Sequence, residues 1–201
     1  MTLKSLRYWT IAILSLVIAL VSYRFLVFGV ELSMPAMAHH PESRALALYA
    51  HIGFAPVALA VMPFQFNARL RAGRPRLHRW LGRVYALAIL ISGVAGISLA
   101  INSAAGPVAG MGFGLLAVLW LATTARAVWL AMQRRIAEHQ VWMIRSAALT
   151  FAAVTLRLYL PLLAVGFGFE TGYLLVAWLC WVPNLIVVEW WLARRRAQPV
   201  A

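Results

Sequence analysis

Six stretches of this chain stay apolar for about 20 residues or more, the length one helix needs to cross the hydrocarbon of a bilayer. They are Trp9–Val30, Ala45–Asn67, Arg79–Ser103, Val108–Ala131, Val141–Val165 and Gly172–Ala193. Inside hydrocarbon every backbone N–H and C=O must find a partner within the protein, which leaves helices or closed barrels. Runs of this length predict helices. The expected fold class is all-α: a six-helix transmembrane bundle, with residues 1–201 as one integral membrane domain. Composition agrees, since 64% of residues are hydrophobic and 11% charged. A soluble domain sits near 45–50% and about 25%.

The formal charge of +13 does not point to nucleic acid, because the arginines gather at the ends of the apolar runs. Lys4 and Arg7 precede the first run. "ARLRAGRPRLHR" joins the second and third, "QRRIAEHQ" the fourth and fifth, and "ARRRAQPVA" ends the chain. The alternate loops, "ELSMPAMAHHPESR", "AAGP" and "GFGFET", carry a single Arg. The positive-inside rule then places both termini in the cytoplasm, with the lipid bilayer as the first partner. The first run is too long for the apolar core of a signal peptide and is read as a membrane span. There is no Asp and there are five Glu, so chemistry built on Asp pairs is excluded. Cys180 is the only cysteine, which excludes dithiol redox chemistry.

Ionisable residues within a membrane are costly and mark function by default. Here they are Arg24, His51, Arg126, Arg145, Arg157 and Glu189. His51 lies six residues, about 9 Å, inside the outer end of its span, and Arg157 eight residues, about 12 Å, inside its own. The two share one outer layer. An Arg at that depth needs an acceptor: a carbonyl, a water or an anionic group. Glu189 is expected to pair with Arg126 or Arg145 as a structural partner.

Two further stretches, "LHRWLGRVYAL" and "EHQVWMIRSAAL", each set a His before a Trp and an Arg. Pro75 suits a first helical position, which puts His78 in the first turn of the third helix. His139 falls in the first turn of the fifth. Two imidazoles at one depth suit the axial positions of a b-type haem, with Arg83 and Arg145 on its propionates and Tyr85 adding a hydrogen bond. The competing reading is structural. Trp and Arg three residues apart form an interfacial anchor, and the His bonds a carbonyl. In the outer loop, His39 and His40 with Met34 and Met37 suggest a weak soft-metal site against plain solvated residues. Pro56, Pro63, Pro161 and Pro183 predict kinks without paired broken helices, which weakens a transporter reading. Small residues in "SGVAGISLA" and at Gly110, Gly112 and Gly114 predict close helix approach.

From His51, through "PFQFNARLRAGRPRLHRWLGRVY", "LWLATTARA" and "EHQVWMIRSAALTFAAVTLR" to Arg157, the order of features resembles bacterial predicted membrane proteins grouped as domain of unknown function 2306. On that resemblance His51, His78, His139, Arg145 and Arg157 are the characteristic polar positions, and the location is a bacterial inner membrane. A looser similarity is to transmembrane b-type cytochromes, which hold haem between intramembrane His ligands. The expected function is a b-type haem-binding or redox membrane protein using His78, His139, His51, Arg83, Arg145 and Arg157, with a respiratory or redox membrane partner. The alternative is a non-catalytic membrane assembly or interaction factor, or a small-solute transporter.

Overall fold

A computed structural model describes residues 3–33 and 40–197. Among them the chain forms helices α1 (Leu3–Ser22), α2 (Arg24–Val27), α3 (Val30–Ser33), α4 (His40–Gln65), α5 (Ala68–Gly73) and α6 (Pro75–Ile101). There follow α7 (Gly106–Met132), α8 (Ile136–Thr150), α9 (Ala152–Phe167), α10 (Phe169–Leu179) and α11 (Val182–Ala197). These make six membrane spans: Ser5–Val27, Arg44–Gln65, Pro75–Ile101, Gly106–Met132, Ile136–Phe167 and Phe169–Arg195. An even number of crossings returns the chain to the side it began on. That side also carries α5 and the Arg134–Arg135 turn, and is called the basic side below; the other is the far side.

The spans match the apolar runs, with earlier starts on the basic side. Pro75 sits at the start of α6, as expected, and Ile136 rather than Val141 opens α8. His78 and His139 therefore lie within helices, near their first turns. The basic connection between α4 and α6 is itself partly helical. Asn67 caps α5 by accepting from the Leu70 N–H at 3.0 Å. On the far side the loop expected at 166–171 shrinks to Gly168, whose φ of +79° suits glycine.

Two spans carry a local irregularity. At Phe151 the fifth tightens, with the Val154 N–H bonding the Phe151 carbonyl at 2.9 Å. The sixth turns at Cys180 and Trp181, just before Pro183, which has no N–H to offer the preceding turn. Phe151 and Cys180 both keep right-handed helical φ and ψ, so each span bends without unwinding, and the two bends lie side by side. Thr155 donates to the Cys180 carbonyl. Asn184 Nδ2 reaches the same carbonyl at 3.0 Å, Thr155 Oγ1 at 3.2 Å and the Ala148 carbonyl at 3.3 Å. Backbone irregularity at membrane depth persists where protein groups satisfy it in this way.

Packing runs α4 on α6, α6 on α7, α7 on α8 and α9 on α10, with α1 against α4. Glycines let α7 approach α6 and α10 closely. A Cβ on Gly110 would lie 2.7 Å from the Ala100 carbonyl oxygen, and one on Gly112 2.8 Å from that of Ala177. The core holds Ala58, Leu59, Tyr85, Ile89, Val154 and Val176. Outside it, large aliphatic side chains face outward, with Leu46 86% and Val165 90% exposed. Apolar exposure on this scale suits lipid and not water. Toward the basic side Arg126, Arg145, Arg194 and Arg195 lie over Trp129, Trp142, Trp190 and Trp191 at 3.9–4.6 Å from the ring centroids, as interfacial anchors do.

Candidate functional site

His51 leaves α4 toward α6. Its Nδ1 lies 2.8 Å from the Ser92 carbonyl oxygen, and Gly96, one turn further along α6, leaves room for the ring. A carbonyl only accepts, so Nδ1 carries the proton and Nε2 of the neutral ring keeps its lone pair. Ser92 spends its own hydroxyl on the Ala88 carbonyl at 2.6 Å.

Arg157, on α9, donates from Nη1 to the Ala153 carbonyl at 2.9 Å. That uses one of the five N–H donors of a guanidinium. Among the described residues no carboxylate pairs with it; the ion pairs present are Arg135–Glu138 and Arg145–Glu189. Arg24 lies within electrostatic reach of it.

His51 and Arg157 line one cavity of about 230 Å³, as their matched depths predict. It runs from Phe25, Ser103 and Tyr173 near the far side down to Trp120 and Thr150 at the middle of their spans. A second, smaller hollow of about 80 Å³ shares both residues. Most of the wall is apolar, with Phe113, Leu116, Leu149 and Leu156 prominent. The cavity can hold a small molecule, offer it a cation and hydrogen-bond donors from Arg157, and meet it with an unprotonated imidazole nitrogen.

The other sequence-derived positions divide. Tyr85 Oη and Ser146 Oγ touch at 2.8 Å between α6 and α8. His78 and His139 each precede one of those residues by seven positions, which keeps them on nearly the same helix faces, about 10 Å toward the basic side. The two imidazoles lie within electrostatic reach of each other, with Arg71 and Arg79 close by. His139 Nδ1 donates to the Ala127 carbonyl at 2.8 Å, while His78 Nδ1 is buried with no partner. Arg145 pairs through Nε and Nη2 with the Glu189 carboxylate at 2.5 and 2.8 Å, the partnership expected for Glu189. It also lies over Trp142, so its guanidinium is committed there. Arg83 is exposed. Met34, Met37 and His39 fall outside the described residues, as does the side chain of His40.

A family model spanning residues 48–192 matches this chain. The chain belongs to the predicted membrane protein family DUF2306. His51, His78, His139, Arg145 and Arg157 lie within the matched region, and so does most of the cavity wall. No curated protein and no solved structure matches the chain. Neither comparison shows a similarity to b-type cytochromes.

One feature left no sequence signal. Thr124, Ser146, Tyr85 and Thr150 form a line of hydroxyls in the bundle core. The Thr124–Ser146 and Tyr85–Thr150 contacts are both 2.7 Å, and Trp120 Nε1 donates to Thr150 at 2.8 Å. Ser and Thr are ordinary in membrane helices, so nothing in their spacing marks them as one group.

Proposed function

We propose that this DUF2306 chain is a membrane-embedded binding protein of transporter type. Its ligand is a small apolar molecule with an anionic oxygen group, held by Arg157 beside His51. The observation that carries this reading is a half-buried arginine at membrane depth on a cavity wall, with no carboxylate partner among the described residues. An Arg near the centre of a membrane helix costs about 2.5–3.5 kcal/mol on insertion scales, and a bound anion offsets that cost. The cavity lies just under the span of about 300–1,000 Å³ usual for drug-sized ligands, which argues for a compact ligand. The setting is a bacterial inner membrane with the basic side cytoplasmic, on the positive-inside rule.

Thermal unfolding of the detergent-solubilised protein tests the ligand class. Hexanoate is expected to raise the midpoint and hexylammonium to leave it unchanged, with Arg157→Met abolishing the hexanoate effect. Equal responses to the two amphiphiles overturn the reading.

A second reading places a b-type haem between His78 and His139. Their matched positions below the Tyr85–Ser146 contact favour it, and so does the Ala127 tether, which leaves His139 Nε2 free for iron. His78 has no such tether and Arg145 is held by Glu189, so the fit is partial. When bound, a haem would supply one-electron chemistry. Protein purified from haem-replete cells would show a Soret band lost in His139→Ala; a colourless preparation rules this reading out.

A further inference from the structure

The hydroxyl line begins at the cavity, because Thr150 and Trp120 belong to its wall. From Thr150 it passes to Tyr85, then Ser146, then Thr124, at 2.7, 2.8 and 2.7 Å. Both ends are capped by carbonyls that only accept. Thr150 reaches the Ser146 carbonyl at 2.9 Å, and Thr124 reaches the Trp120 carbonyl at 2.7 Å. Four hydroxyls thus face five contacts that each need a hydroxyl proton. One contact must lack its proton, and the line has two complete orderings. In one, every O–H points toward Thr124 and the Ser146 carbonyl goes unserved. In the other, every O–H points toward Thr150 and the Trp120 carbonyl loses Thr124, keeping only the longer Thr123 hydroxyl contact at 3.2 Å.

Passing one proton along the line converts the first ordering into the second. A proton arriving on Thr150 displaces that residue's own proton to Tyr85. Tyr85 gives its proton to Ser146, Ser146 to Thr124, and Thr124 gives one to a water molecule that the relay requires between it and the His78–His139 region. Each hydroxyl ends with one proton, and rotation of the four O–H groups restores the first ordering. Thr124 lies one helical turn from Ala127, whose carbonyl holds His139. Two turns from Tyr85 toward the basic side stands His78, with its buried, unpartnered Nδ1. Around this end are Arg71 and Arg79; around the cavity end are His51, Arg157 and Tyr173.

We propose that Thr150, Tyr85, Ser146 and Thr124 are a proton relay joining the far-side cavity to the His78–His139 region on the basic side. The cavity reading supplies its outer terminus, and the proton comes from an acidic group of the cavity's occupant or from water entering there. Bonding of this kind also holds helices together, so the test must read proton movement.

The full chain is reconstituted in liposomes holding a pH-sensitive dye, and a potassium diffusion potential is applied with no added ligand. The wild-type rate of pH change should exceed that of protein-free liposomes several-fold. Tyr85→Phe and the near-isosteric Thr124→Val should both return it to the protein-free rate, with helical circular dichroism unchanged. A wild-type rate equal to the protein-free rate overturns the relay, as does a folded Tyr85→Phe or Thr124→Val that conducts like wild type. The hexanoate midpoint shift, measured on the same preparations, separates the two ideas. A shift without proton movement leaves the cavity reading standing alone. Proton movement that depends on Tyr85, without a shift, leaves the relay and removes the proposed ligand.

Discussion

Gly96 of α6 lies against the imidazole of His51. A Cβ built there would stand 3.3 Å from Nδ1 and 3.5 Å from Cε1. The ring is tethered to the same helix by its 2.8 Å bond to the Ser92 carbonyl, so a methyl at position 96 presses on a hydrogen-bonded ring. Gly96→Ala should therefore lengthen that bond by a few tenths of an ångström while the bundle stays folded. Gly96→Leu should fill the space beside His51 and abolish the hexanoate-induced midpoint shift. Thermal unfolding of both variants with and without hexanoate checks this; a Leu variant that still responds to hexanoate contradicts the placement of the ligand beside His51.

Arg145 and Glu189 tie α8 to α11. The Arg145 side chain is 15% exposed and that of Glu189 46%. Partial exposure keeps such a pair within about 0–1 kcal/mol. Glu189→Gln should lower stability by less than about 1 kcal/mol, because Arg145 keeps its position over Trp142. Arg145→Ala loses both partners and should cost more. A double-mutant cycle between Arg145 and Glu189 is the measurement, and a coupling above about 2 kcal/mol would show that the pair is shielded as buried pairs are.

Much of this was readable from residue types and spacing. Apolar run length set the six spans, and Pro75 marked the start of α6. The fixed rise of a helix put His51 and Arg157 at one depth, which is why a one-dimensional count found two residues on one cavity wall. The hydroxyl line escaped because it depends on which helices are neighbours. Tyr85, Ser146 and Thr124 come from three helices, and no spacing within one helix announces a contact with another. Tyr85 was legible only as a polar residue near His78. That the two bends lie side by side escaped for a related reason. Pro183 was visible as a kink, but Phe151 has no proline, and the Asn184 and Thr155 bonds that tolerate the irregularity are tertiary.

Those bonds carry a prediction of their own. Thr155→Val keeps the side-chain shape and removes the donor to the Cys180 carbonyl. Side-chain hydrogen bonds between membrane helices average about 0.6 kcal/mol and reach about 1.7. Thr155→Val should fall near the lower figure, because Asn184 still serves that carbonyl. Asn184→Leu removes three contacts together and should approach the upper figure. Unfolding in mixed detergent with denaturing surfactant measures both. If Thr155→Val proves the costlier, Asn184 is not the main support of the irregularity.

Gly112 and Gly53 are both helical and differ only in what surrounds them. A Cβ on Gly112 of α7 would stand 2.8 Å from the Ala177 carbonyl oxygen and 3.0 Å from Trp178 Nε1. The first is backbone, which cannot swing aside. The second belongs to a side chain that already donates to the Val108 carbonyl at 3.2 Å. Gly112→Ala must push α7 and α10 apart and is expected to cost about 1–3 kcal/mol, as overpacking does. A Cβ on Gly53 of α4 would meet nothing within 4 Å. There the lower conformational freedom of alanine in the unfolded chain should decide the sign, giving a gain of about 0.4–1 kcal/mol. Unfolding midpoints of the two variants, measured side by side, should move in opposite directions. If Gly112→Ala were neutral, α7 and α10 would not approach as closely as described, and the route from Trp178 to Val108 would have to differ as well.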